Sequence, residues 1–275
     1  LALFSGEEPL KYKIDFSFCS ANLVTHGLFS YIETKLASFP KTMNFLSHFY
    51  FDMTSTDSNL IVGSVLPDLI KNAKKEWNLH PQRFENGFND LITKSIFSGW
   101  KRHMEIDRYF HSSGFFTEHT QAIRLAIAPI LETSPVRPSF LAHIALEIML
   151  DSLLITDELV DPTTFYTHLK LSDRISVTNF LQLNPAIDTP VFFKFFDHFI
   201  EENYLHRYRE SQDIMYSLNR ICMRIWDDPL NELQKLQITS VLIDYQKYLK
   251  TGFMSIFEDI DNHLLGTQRK VQFSI

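Results

Sequence analysis

The chain has 275 residues, 45% of them hydrophobic, with 25 Phe but only 8 Gly, and that shortage of glycine, with few Asn-Gly or Asp-Gly hairpin signals, argues against an all-β fold. A net charge of −7 with no Lys/Arg stripe argues against nucleic acid as a partner. Two cysteines, Cys19 and Cys222, lack C-x-x-C spacing, the apolar runs fall short of a membrane span, and no basic-then-apolar leader opens the chain, so a reducing, cytoplasmic setting is the default expectation.

Residues 1–42 mix short aromatic stretches with weak helical patterning over Leu23–Leu36 and end at Pro40 and Lys41-Thr42. They read as an extension, as an upstream stretch not native to the domain, or as an ordinary helix packed on its outside. From Met43 the 3.6-residue period dominates. Asp57 or Ser58 caps a predicted helix to about Asn72, with Pro67 kinking or breaking it. Pro81 sits in the first turn of a predicted long helix through Phe110. Pro138 and Ser139 start another, Asp161-Pro162 the next, and Pro190–Asn203 and Ser211–Asp227 follow. A last long helix runs from about Asn231 to Leu264, and a polar, frayed tail occupies 265–275. The expectation is an all-α fold with one helical domain over 43–264.

Two stretches align potential metal ligands at i, i+4 and i+8: His103, Asp107 and His111, then His143, Glu147 and Asp151. Such residues share roughly one helix face. The second set lies in a helix that is otherwise almost wholly apolar, and burying carboxylates there without a counter-charge costs several kcal/mol each. If the two faces meet, a bound cation is the simplest compensation. Nitrogen and carboxylate donors without thiolate suit Mn²⁺, Fe, Mg²⁺ or Zn²⁺. Such an ion acidifies bound water and neutralises charge on a phosphoryl oxygen. His48, within an apolar run, and Asp68, after Pro67, read singly as a core histidine and a helix cap. Two Arg flanking Tyr208, Arg207 and Arg209, have the chemistry to hold a phosphate, or simply begin a helix with surface charge. The motifs of P-loop, dinucleotide-binding, serine-hydrolase and H-E-x-x-H enzymes are absent from the sequence.

Taken together, the segments resemble the acyl carrier protein phosphodiesterase family, a divergent all-α relative of the HD-type phosphohydrolases. Met43-Asn44-Phe45-Leu46-Ser47-His48 is similar to the family's Asn-Phe-Leu-Ala-His opening. Gly63-Ser64-Val65-Leu66-Pro67-Asp68 and His103-Met104-Glu105-Ile106-Asp107 are similar to its next two elements. Glu147 and Asp151 stand where it has two Asp, and Tyr204-Leu205-His206-Arg207-Tyr208-Arg209-Glu210, followed by Ile214, Leu218, Asn219 and Arg224, matches its Arg-Tyr-Arg stretch. The resemblance implies an HD-like bundle that hydrolyses a phosphodiester with a divalent ion, manganese first, and releases 4′-phosphopantetheine from acyl carrier protein, a step of fatty acid and lipid metabolism. Carried over, His48, Asp68, His103 and Asp107 hold metal or support the residues that do, and Arg207 and Arg209 face the phosphate or order the site. With Glu147 and Asp151 these four make the expected metal site, and His111 and His143 are nearby acid/base groups or extra ligands. Departures stand at His111, Glu147 and Ser152, where the family has Asp, Asp and His. Acyl carrier protein is acidic, so docking needs a local basic patch, for which Lys71, Lys74 and Lys75 are candidates. Hydrolysis of another small phosphate ester, or a non-catalytic helical binding module, are the alternatives.

Overall fold

The computed structural model describes residues 45–272, with side chains described as far as 266. The expectations for residues 1–42 lie outside the described residues. Within them the chain is helical and no strand occurs, as the all-α expectation required.

The elements are α1 (Phe45–Tyr50), α2 (Ser58–Ala73), a 3₁₀ turn (Pro81–Gly87), α3 (Leu91–Ser112), α4 (Gly114–Ile127), a second 3₁₀ turn (Ala128–Leu131), α5 (Pro138–Thr156), α6 (Pro162–Leu171), α7 (Arg174–Leu181), α8 (Thr189–Glu202), a third 3₁₀ turn (Tyr204–Arg209), α9 (Ser211–Cys222), α10 (Glu232–Lys250) and α11 (Met254–Gln272). Side-chain caps start most of them: Asp57, Asp90, Ser113, Asp161, Asp173, Asp188 and Asn231 each accept a hydrogen bond from a first-turn amide. Asn231 and Gln234 complete a capping box.

The predicted helix from Pro81 through Phe110 is two elements. The segment around Asn86-Gly87 takes a 3₁₀ turn, and α3 starts afresh where Asp90 accepts from the Thr93 amide at 2.7 Å. The single last helix is likewise two, α10 and α11, parted around Gly252, and the second runs on to Gln272 past the expected end at Leu264. Pro67, by contrast, lies inside an uninterrupted α2. Helices α4 and α7 were not anticipated.

α5 is the hydrophobic centre, with Leu141, Ala145, Leu146, Met149, Leu150 and Leu154 wholly buried. It is the one described helix long and apolar enough by composition to cross a membrane, yet 72% of that stretch is buried inside the fold, as in the core helix of a globular domain.

Among the described residues the pairing of α2 with α3 is the most extensive, and glycine makes it so. A Cβ on Gly63 would lie 2.1 Å from the Ile96 carbonyl oxygen, and one on Gly99 would lie 2.1 Å from that of Leu60. The two backbones therefore touch directly, and this contact brings Asp68 of α2 near His103 of α3.

Candidate metal centre

α1 has six residues, too few to hold together by itself. Its N-terminal amides are gathered by Asp151 of α5. One carboxylate oxygen accepts from the Leu46 amide at 3.1 Å, and the other accepts from the Ser47 amide at 2.8 Å and the Ser47 hydroxyl at 2.6 Å. Burial pushes the Asp151 carboxyl up, to about 7, against these bonds and with help from the charge of Glu147. Asp151, read from the sequence as a metal-ligand candidate, is thus placed as an anchor for the helix that carries His48.

His48 of α1, Asp68 of α2 and His103 of α3 offer donor atoms all within 4.8 Å of one another. They are 0%, 3% and 1% exposed. The His48 and His103 rings stack with centroids 4.0 Å apart and planes at 19°. His103 Nδ1 lies 2.9 Å from the Ser64 carbonyl oxygen. A carbonyl only accepts, so Nδ1 carries the hydrogen. Burial lowers the His103 pKa, which keeps the ring neutral, so Nε2 presents a lone pair, 3.7 Å from Asp68 Oδ1. Two imidazoles and a carboxylate, with one ring fixed by a backbone carbonyl, make a donor set able to hold a divalent ion.

A second group forms two turns further along α3. His111 Nε2 lies 3.0 Å from His143 Nε2 and 3.4 Å from Glu147 Oε1, and His143 Nε2 lies 2.9 Å from that same oxygen. The side chains are 12%, 24% and 8% exposed, so solvent reaches this group. Behind it, Asp107 presents Oδ1 3.1 Å and its backbone oxygen 2.8 Å from His111 Nδ1. Burial alone would depress the His111 imidazole; hydrogen bonds and charge from Asp107 and Glu147 overcome it and raise the pKa to about 10. Phe116 closes one side, its ring 4.8 Å from His111 and 5.0 Å from His143. Asp107 also acts by charge on His103, so it lies between the two groups.

The two ladders therefore meet, but not around one point. His103 and His111 are eight residues apart, roughly 12 Å along the helix axis, too far to share an ion.

The remaining candidates lie elsewhere. Arg207 and Arg209 are exposed, and Arg207 stacks over Tyr216 at 5.6 Å. Lys71 bonds Asn78 and Lys74 lies over Trp77. Ser152 is buried, donating to the Tyr208 carbonyl at 2.5 Å and accepting from Gln246 at 2.8 Å. A broad surface groove runs along α8, lined by Pro190, Val191, Phe193 and Phe195 among others, and includes no residue of either histidine group.

Asp52 escaped the reading of the sequence. It is 3% exposed, its carboxylate 2.7 Å from Arg102, the neighbour of His103. Burial raises its pKa to about 6 although Arg102 opposes the rise. Asp52 lies four residues after His48 in Phe49-Tyr50-Phe51-Asp52, the spacing that flagged the two ladders.

A family model described as acyl carrier protein phosphodiesterase matches residues 43–260. No curated protein and no solved structure matches this chain.

Proposed function

Because this chain belongs to the acyl carrier protein phosphodiesterase family, we propose that it hydrolyses a phosphodiester with a divalent cation, manganese first, and that its substrate is acyl carrier protein bearing 4′-phosphopantetheine. One observation carries the reading: His48, Asp68 and His103, from three helices, converge inside an apolar core. A bound divalent ion would supply Lewis acidity toward phosphoryl oxygens and would acidify a water.

The chain's own residues have distinct tasks in this reading. The Ser64 carbonyl holds the His103 tautomer that leaves Nε2 bare. Asp151 seats α1 and so places His48. His111, His143 and Glu147 stand where solvent reaches, two turns further along α3. Arg207 and Arg209, exposed on the third 3₁₀ turn, offer charge to an anionic partner.

The test is release of phosphopantetheine from holo acyl carrier protein, followed by mass spectrometry. Chelator-stripped protein is expected to be inactive and Mn²⁺ to restore it, whereas Asp68→Asn and His103→Gln fall by 100-fold or more. Undiminished turnover by stripped protein would overturn the metal requirement, and absence of released phosphopantetheine would overturn the substrate. One observation favours a second reading, a non-catalytic binding module. Ser152, at the position where the resemblance implies His, is committed to buried hydrogen bonds with Tyr208 and Gln246. Saturable binding of holo acyl carrier protein without turnover would establish it.

A further inference from the structure

We propose that His111, His143 and Glu147 hold a divalent transition-metal ion of their own, distinct from any ion at His48, Asp68 and His103. The inference rests on donor geometry and not on the reaction proposed above.

The three donor atoms form a triangle with sides of 2.9, 3.0 and 3.4 Å. Donors about 2.1 Å from an ion stand roughly 3.0 Å apart at right angles and roughly 3.4 Å apart at the tetrahedral angle. The triangle is therefore already one face of a coordination sphere.

The second observation is Asp107. Its carboxylate and backbone oxygens both face His111 Nδ1, so a hydrogen is held there and Nε2 is the nitrogen that faces the triangle. A ligating histidine characteristically donates its other N–H to a carboxylate or carbonyl. The aromatic wall of Phe116 covers one flank, while His143, 24% exposed, leaves another side open for water or a ligand oxygen. Two imidazoles and one carboxylate favour zinc, iron or manganese over magnesium or calcium. His111 and Glu147 stand where the resemblance has Asp, and His143 is supplied by none of its motifs.

The experiment uses the full chain, stripped by chelator and titrated separately with Co²⁺ and Mn²⁺. Bound ion is counted by mass spectrometry of the metal, and nitrogen ligation is read from the visible cobalt spectrum. The unsubstituted chain is expected to bind two equivalents. His143→Ala and Glu147→Gln are each expected to lose one and to keep the other, and Asp68→Asn to lose the other instead. His143 is partly exposed, so its removal leaves the core intact, and an unchanged helical circular dichroism spectrum verifies that. Stoichiometry and cobalt spectrum unchanged in both His143→Ala and Glu147→Gln would overturn the inference, whatever the activity. A single equivalent lost with His143→Ala but kept by Asp68→Asn would uphold it and count against the buried group as the ion site of the proposed hydrolase.

Discussion

The two groups of donors on α3 differ chiefly in their contact with water. His48, Asp68 and His103 are at most 3% exposed, whereas His143 is 24% exposed. The enclosed group is also built from distant parts of the chain, α1, α2 and α3, and depends on how helices pack. The open group needs only α3 and α5, and its imidazole is steered from one turn away by Asp107. Damage to packing should therefore strike the first group, and damage to local hydrogen bonding the second.

The strongest way to break that contrast is Asp151→Ala. It leaves two amides and a hydroxyl at the start of α1 without their acceptor, at a cost of roughly 3 kcal/mol or more. The expected outcome is a melting point lower by roughly 6–12 °C and loss of ion binding at the enclosed group, with the open group retaining its ion. Thermal melts and metal counts together check it. Gly99→Ala comes next. The added methyl collides with the Leu60 carbonyl, and prying α2 from α3 should cost about 2–3 kcal/mol and separate Asp68 from His103. Urea unfolding of the variant measures the first effect and Mn²⁺ titration the second.

A smaller and more selective change is Asp107→Asn. Removal of the carboxylate behind His111 should weaken ion affinity at the open group about 10–100-fold and leave the enclosed group within about threefold by the same titration. Equal losses at both would erase the distinction between packing and local steering. The smallest expected effect is a pH slope. Asp52 titrates near 6 in the fold against 3.8 when free, so the folded state holds its proton more tightly. The stability it contributes is complete below the free value and is lost as pH rises through about 6, at about 1.4 kcal/mol for each tenfold difference in proton affinity between the folded and unfolded chain. Asp52→Asn should therefore flatten the decline in urea midpoint between about pH 4 and 6.

Much of this was legible in the sequence, and the failures have physical causes. Periodicity found α2, α5, α6 and α8, because their apolar faces and their caps or prolines are local signals. It fused the 3₁₀ turn at Pro81 with α3, and α10 with α11, because hydrophobic spacing continues across a break that only Asp90 and Gly252 mark. The two ladders were recognised as polar faces, yet helical spacing says which residues share a face, not what packs opposite. That is why Asp151 emerged as the anchor of α1 instead of standing with Glu147, and why the ladders yielded two separate groups. The Arg207 and Arg209 pair shows the same limit: their spacing gave them a chemistry, and tertiary structure left them facing solvent.

The Asp151 anchor has a consequence for biosynthesis. The carboxylate that seats α1 lies 104 residues after Ser47. At about 5–20 residues per second, a ribosome needs roughly 5–20 s to supply it, and a six-residue segment does not stay helical in the meantime. His48 is thus oriented late, and the enclosed pocket cannot capture an ion while the 104 residues that separate Ser47 from Asp151 are being made.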